Sequence, residues 1–122
     1  MLSEPLSVTV GSDVISMSRI NQDNYSAVYY GVSTDGLRRY TAQVRHTLPT
    51  ANSKTESHLA RLDCEVVDTD GAVLGTRSVW VVPKVSGFAQ IESDMVNLYT
   101  GLTTLLEAST NAVLKGILGR QS

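Results

Sequence analysis

The chain has few side chains of the types that enzymes use as nucleophiles or bases. His46 and His58 are its two imidazoles, and Cys64 is its single thiol. Strand alternation assigns all three to the apolar side of the predicted sheet, where a cysteine behaves as a small hydrophobic residue rather than a reactive thiolate. Asp63 and Glu65 share a strand face, but an open sheet implies no pocket for acid–base catalysis. We therefore predict that the protein is not an enzyme.

Composition places the chain among globular proteins. It has 122 residues, of which 42% are hydrophobic and 18% charged, so we expect one domain, 1–122. One cysteine and two histidines offer no disulfide framework or cysteine-rich zinc site, and the nine glycines form no phosphate-binding loop. The first residues lack a basic region, and the longest strictly apolar run is Val79–Val82, so we predict no export signal or membrane span.

Alternating β-branched and aromatic segments predict an antiparallel meander. Asp35-Gly36 and Asp70-Gly71 have the chemistry of tight hairpin turns. The predicted strands are 6–10, 14–20, 25–32, 37–47, 57–67 and 73–85. The first two form an N-terminal hairpin within residues 1–20, and the others form a sheet over 25–85.

The last third of the chain has helical periodicity. Steps of four and three residues place one apolar stripe on a helix, at Ile91, Met95, Leu98, Leu102 and Leu105. Ser93 suits the N-cap, and a break near Ser109-Thr110 precedes a second, shorter helix over 111–118. Strands followed by helices predict an α+β fold in which helices within 93–118 cover one sheet face.

Alternation in the central strands predicts that the other face is polar and uncovered. The strand 37–47 divides into a polar set, Arg39, Thr41, Gln43, Arg45 and Thr47, and a set placed under the helices, Tyr40, Ala42, Val44 and His46. Although the net charge is −2, residues 37–62 hold five Lys and Arg against one Glu. Arginines can neutralise phosphates while Thr and Gln bond unpaired bases, so RNA binding is one interpretation. An ordinary solvated sheet face is the other.

Several short strings along the chain occur in a recognisable order and spacing. The most specific combination is Ile20-Asn21-Gln22-Asp23 with Val44-Arg45-His46-Thr47. The further strings are Val28-Tyr29-Tyr30, Cys64-Glu65-Val66, Arg77-Ser78 and Ser93-Asp94. With these strings the chain resembles, over essentially its whole length, the coat proteins of the single-stranded RNA bacteriophages, the levivirus group, with particular similarity to the Caulobacter phage branch.

The resemblance implies an RNA-binding sheet face. Coat proteins of this group package the viral genome, and some bind an RNA hairpin that represses replicase translation. The positions that match the RNA-facing strands are Arg39, Thr41, Gln43, Arg45, Arg61 and Glu65. Asp63 departs from the basic residue of better-studied relatives, and Val79 and Val81 are expected to replace polar or aromatic contacts, so specific hairpin recognition stays open.

The resemblance also implies an obligate homodimer, with helices packed across the partner subunit, that builds an icosahedral shell. The expected interface residues are Ile91, Met95, Leu98, Leu102, Leu105, Val113, Leu114 and Ile117. We expect a virion protein assembled in the bacterial cytoplasm. No cofactor is expected, although Asp68 and Asp70 are candidates to hold a cation between subunits. A solvated Asp-Gly turn is the simpler interpretation of that pair.

Two alternatives remain open from the residues themselves. The apolar stripe could form a core within one chain. The protein could also be a dimeric cytosolic domain that binds a small molecule between its sheet and helices. A coat protein should purify as RNA-containing particles, whereas such a domain should purify as an RNA-free dimer.

Overall fold

The computed structural model describes residues 4–52, 54–86 and 92–120. The chain divides into two compact units, Met1–Ser86 and Gly87–Ser122. In the described residues the first unit contains seven strands and the second a helical element. These elements are β1 (Leu6–Val10), β2 (Asp13–Gln22), β3 (Ser26–Val32), β4 (Arg38–Thr47), β5 (Thr55–Val67), β6 (Val73–Val81), β7 (Lys84–Ser86) and α1 (Glu92–Leu118).

The strands β1 to β6 lie in sequence order, each antiparallel to the next, which confirms the predicted meander. The prediction of one last strand over 73–85 was wrong. Its end is a separate strand, β7, which pairs with the first residues of β5. Pro83 lies between β6 and β7, and proline has no N–H to donate to a ladder. Its carbonyl instead accepts a 2.9 Å hydrogen bond from the backbone N–H of His58.

The Asp-Gly turns form as predicted, and side-chain hydrogen bonds hold the turn between β3 and β4. The Asp35 carboxylate accepts a bond from the Ser33 hydroxyl at 2.6 Å and another from the Leu37 N–H at 2.9 Å. These two bonds, the first above all, lower the pKa of Asp35. Gly36 follows with a φ of +74°, a conformation that suits glycine.

The N-terminal hairpin supplies the core of the first unit. Ile15 and Met17 of β2 are buried against Tyr29 and Tyr40. Gly31 permits this close approach, because a Cβ atom there would lie 2.8 Å from both Ile15 Cγ2 and the Ser16 carbonyl oxygen. Burial raises the pKa of Tyr40.

This packing corrects one sequence-based expectation. Tyr40 and Ala42 were placed under the helices, but both contact the cluster built by the hairpin. The long strand β2 makes this possible, since its first half pairs with β1 and its second half with β3. A register irregularity between Arg19 and Asn21 accompanies the second pairing, and such bulges bend a strand.

The helical element α1 begins at Glu92, one residue before the predicted start. Two helices were predicted, and the backbone of α1 is non-helical from Ala108 to Asn111, which separates a longer helical segment from a shorter one. Ser109, Thr110 and Asn111 all have positive φ, which is costly for residues with a side chain. The interruption lies where the sequence predicted a break.

Candidate nucleic-acid interface

Strand register brings the predicted RNA-facing residues together on one side of the sheet. Three rows of directly opposite residues from β4, β5 and β6 form what we call the polar face: Arg39, Glu65 and Thr76; Thr41, Asp63 and Ser78; and Gln43, Arg61 and Trp80. Arg45 lies on the same side of β4, two residues beyond Gln43, and is paired with Leu59 of β5. All six residues predicted to contact RNA therefore share this side, which shows their placement and leaves their role as a prediction.

Acidic residues pair with two of the three arginines on this side. Arg39 Nη1 lies 3.3 Å from Glu65 Oε1, and both side chains are about two-fifths exposed. Arg61 Nε lies 2.9 Å from each carboxylate oxygen of Asp63. The Ser78 hydroxyl also donates to Asp63. Exposed ion pairs of this kind contribute only about 0–1 kcal/mol, so a phosphate can compete for the arginines.

Arg45 is the exposed arginine at the end of the series. Its side chain makes no ion pair or hydrogen bond with another described residue, but it lies close enough to Asp23 to affect the ionisation of that carboxylate. The pKa of Asp23 is lowered chiefly by the backbone N–H of Tyr25, then by Ser26, and least by Arg45. Arg45 is thus free to contact a phosphate without first breaking an ion pair.

Sequence reasoning missed the contribution of β6 to the polar face, of which Trp80 is the largest side chain. Its side chain is 54% exposed, and the Arg61 guanidinium lies 5.2 Å from its ring centroid. Tyr30, opposite Thr41 on β3, adds a second partly exposed aromatic ring on the same side. Exposed aromatic faces next to arginine are typical of surfaces on which unpaired bases stack.

The expectation that Val79 and Val81 lie on the RNA-facing side was wrong. They pair with Leu62 and Ala60, on the opposite side of the sheet from Arg61 and Asp63. The cause is a register shift near the turn, where Val67 pairs with Val73 but Val66 pairs with Gly75. One extra residue in β6 reverses the alternation for the rest of the strand. The polar face therefore has Ser78 and Trp80 where the sequence suggested valines.

The predicted dimer-interface residues lie along α1, apart from Ile91, which is outside the described residues. Met95 is half-buried, and six others are exposed: Leu98, Leu102, Leu105, Val113, Leu114 and Ile117. No described residue of α1 is buried. The expected apolar stripe is therefore present and lies open in the single chain.

Comparison with known proteins decides the family. The family model described as "Phage phiCb5, coat protein" matches residues 3–86 of this chain. The chain belongs to this coat protein family. It is a capsid component of the virion and has a structural rather than an enzymatic role. No curated protein matches the chain.

Three solved structures share the fold of the coat protein. The virus-like particle of Beihai levi-like virus 21 is 14% identical in sequence and has a TM-score of 0.74, and the superposition covers 96% of this chain and 94% of the particle's chain. The bacteriophage EMS014 coat protein is 15% identical, with coverages of 88% and 87% and a TM-score of 0.65. The virus-like particle of bacteriophage AVE019 is 16% identical, with coverages of 89% and 90% and a TM-score of 0.55. These likenesses confirm the RNA phage coat protein fold.

The strand β6 is an open edge of the coat protein sheet. Within the described residues it pairs only with β5. Val73, Leu74, Val79 and Trp80 are all more than half exposed, and Arg77 is the strand's one charged residue. Soluble proteins usually protect edge strands with charge, proline or shortness, so β6 is suited to pair with another strand.

The Asp68 turn gives no independent sign of a cation. Asp68 Oδ1 accepts bonds from the backbone N–H groups of Asp70 and Ala72, each at 2.9 Å. Over the ranges that the structure describes, no three His, Cys, Asp or Glu side chains are grouped to hold a metal. The cation at Asp68 and Asp70 stays a prediction.

None of the described helical residues forms a segment long and apolar enough to cross a bilayer.

Proposed function

We propose that the coat protein forms an obligate homodimer, that these dimers build an icosahedral shell, and that the polar face binds single-stranded viral RNA inside it. Assembly would take place in the cytoplasm of the bacterial host. We extend the proposal to an RNA hairpin on the same face, through which the protein would repress translation. The arrangement of the polar face carries the proposal: arginine, hydroxyl, amide and aromatic side chains occupy adjacent rows of one exposed surface.

Each residue type on the polar face suits one part of a nucleotide. Arg39, Arg45 and Arg61 would neutralise phosphates, which are the main source of affinity for nucleic acid. Thr41 and Gln43, half-buried between them, would accept or donate hydrogen bonds to a base edge. Glu65 would orient Arg39, and Trp80 would stack on an unpaired base.

Two exposed apolar surfaces support the dimer. The edge of β6 can extend the sheet by pairing with β6 of a second subunit, which a two-fold axis allows because the strand would then pair with itself. The stripe on α1 would be buried in the same dimer, as the family resemblance implies. Two of the structural relatives are described as virus-like particles, which agrees with assembly beyond the dimer.

The decisive experiment is expression of the full chain in bacteria, followed by size-exclusion chromatography, negative-stain electron microscopy and the absorbance ratio of the purified material. We expect closed particles whose absorbance is dominated by RNA. An RNA-free dimer would instead support the small-molecule-binding alternative.

Variants then test the polar face separately from assembly. Arg45→Ala should lower the RNA content and the salt dependence of RNA binding while leaving the subunit folded. Arg38→Ala is the matched control, because Arg38 is exposed on the same strand but pairs with Val66 on the opposite side of the sheet. Equal RNA loss in the two variants would contradict the assignment of the polar face.

The α1 stripe has its own test. Leu102→Asp should yield monomers that assemble no particles, because it places a charge in the proposed interface. Thr100→Asp adds the same charge on the opposite side of the helix, since two residues correspond to about 200° of rotation. Particle formation by Leu102→Asp at the level of Thr100→Asp would show that the stripe is not an interface.

A further inference from the structure

The two histidines of the chain face each other across the sheet. β4 and β5 pair His46 directly with His58, on the side of the sheet opposite the polar face. Their Nδ1 atoms are 2.8 Å apart, their ring centroids are 5.0 Å apart, and their ring planes meet at 68°. Such a short distance means that the two nitrogens share either one proton or one other electrophile.

The separation of the nitrogens fits a shared metal ion. Metal–imidazole bonds are about 2.0–2.1 Å long, so two nitrogens lie about 2.9 Å apart at the right angles of a tetragonal copper or nickel site and about 3.3 Å apart at the tetrahedral angle of zinc. The observed 2.8 Å is close to the tetragonal value, and binding an ion would turn both rings so that their lone pairs point at it instead of at each other. His46 is exposed, so an ion has access from solvent and water can complete its coordination.

The far side of the His58 ring offers the second observation. Its Nε2 atom is buried and has no hydrogen-bond partner among the described residues. The Glu56 carboxylate oxygen Oε2 lies 3.8 Å from it, just beyond hydrogen-bond distance. A histidine that binds metal through one nitrogen usually donates its other N–H to a carboxylate, which fixes the ring and raises its basicity. Glu56 is therefore placed to orient His58 as a ligand.

We propose that His46 and His58 bind one divalent transition-metal ion through their Nδ1 atoms, with Glu56 as a positioning residue. Imidazole ligands suit zinc, copper and nickel better than calcium or magnesium, so the site takes an ion of the former group. The ion would join β4 to β5 near the end of their ladder. This site is separate from the polar face and does not depend on RNA binding.

The test is a titration of the purified full-length protein with Zn²⁺, followed by calorimetry. We expect one ion per subunit. His46→Gln and His58→Gln should each lower the affinity at least tenfold, and Glu56→Gln should lower it about tenfold. Cys64→Ser is the control and should leave the affinity unchanged, because six residues of β5 place Cys64 about 20 Å from His58.

Electron paramagnetic resonance of the Cu²⁺-loaded wild-type protein gives a readout that needs no variant to fold. Because the chain has only two histidines, coupling to two imidazole nitrogens would identify this pair. The absence of such coupling would overturn the proposal and leave a simple N–H···N hydrogen bond. Zinc binding that is unchanged in both histidine variants, or lost in Cys64→Ser, would overturn it as well.

Discussion

Removing the negative charge of Asp63 should strengthen RNA binding by the coat protein. The side chain lies at the centre of the polar face, where it binds Arg61 through both oxygens. Asp63→Asn keeps the size of the side chain, and its amide oxygen can still accept the hydrogen bond from the Ser78 hydroxyl. An exposed ion pair is worth about 0–1 kcal/mol, so the fold should tolerate its loss.

The expected gain follows from Coulomb's law. A phosphate about 7 Å from the carboxylate is repelled by about 0.6 kcal/mol in water, which corresponds to about a threefold change in affinity. The substitution also releases Arg61 to contact a phosphate of its own. One additional phosphate contact steepens the plot of log affinity against log salt by about 0.7 for single-stranded RNA.

The assay is equilibrium binding of a fluorescent single-stranded RNA to dissociated dimers over a range of salt concentrations. Glu56→Gln is the control, since it removes the same charge from the opposite side of β5. Both variants make the subunit less negative, so only a difference between them reports on the polar face. Equal gains, or no gain with Asp63→Asn, would refute the reasoning.

Substitutions at three other positions test the hairpin packing, a turn and the stacking surface. Gly31→Ala should destabilise the subunit by about 1–3 kcal/mol in denaturant unfolding, because its Cβ would press on the immobile Ser16 carbonyl. The lowered pKa of Asp35 means that its carboxylate stabilises the fold above about pH 4 and that this contribution is lost as the pH falls through the lowered value. Asp35→Asn should therefore reduce the loss of unfolding free energy as the pH is lowered below about 4. An unchanged pH dependence would argue against the hydrogen bonds that the Asp35 carboxylate accepts from Ser33 and Leu37. Trp80→Ala should weaken RNA binding by about 1–3 kcal/mol, whereas Trp80→Phe should retain most of it.

Local signals were sufficient to predict the meander and the polar face. Alternation in β4 places Arg39 and Tyr40 on opposite sides of the sheet. The pairing with β5 has no irregularity, so counting residues along each strand was enough to assign every side chain to one side. The Asp-Gly turns are equally local, because the side chain and the glycine act within four residues.

Features that depend on long-range pairing could not be predicted in this way. Nothing in the alternation of β6 reveals the extra residue between Gly75 and Val73, yet it moves Trp80 to the polar face. The burial of Met17 and Tyr40 in one cluster likewise depends on how the hairpin folds over the sheet, which no local pattern encodes. Pro83 is the exception, since a proline inside a predicted strand was a sign that the strand should be divided.

The exposure of α1 has a consequence for how its folding depends on assembly. The interruption divides α1 into a longer and a shorter helical segment. Isolated helices shorter than about 12–15 residues are marginal in water, and most helical stability in proteins comes from packing of an apolar face. The segment from Ser109 to Asn111 adds an energetic cost of its own, because three residues with side chains adopt positive φ. Leu102 and Leu105 are exposed in the single chain, so under the proposed dimerisation their burial supplies what the helix lacks. Helicity measured by circular dichroism should then fall with dilution through the dimer dissociation range, whereas the β-sheet signal should persist. A helical signal that is independent of concentration, in a protein shown to dissociate, would mean that α1 is stable without the partner.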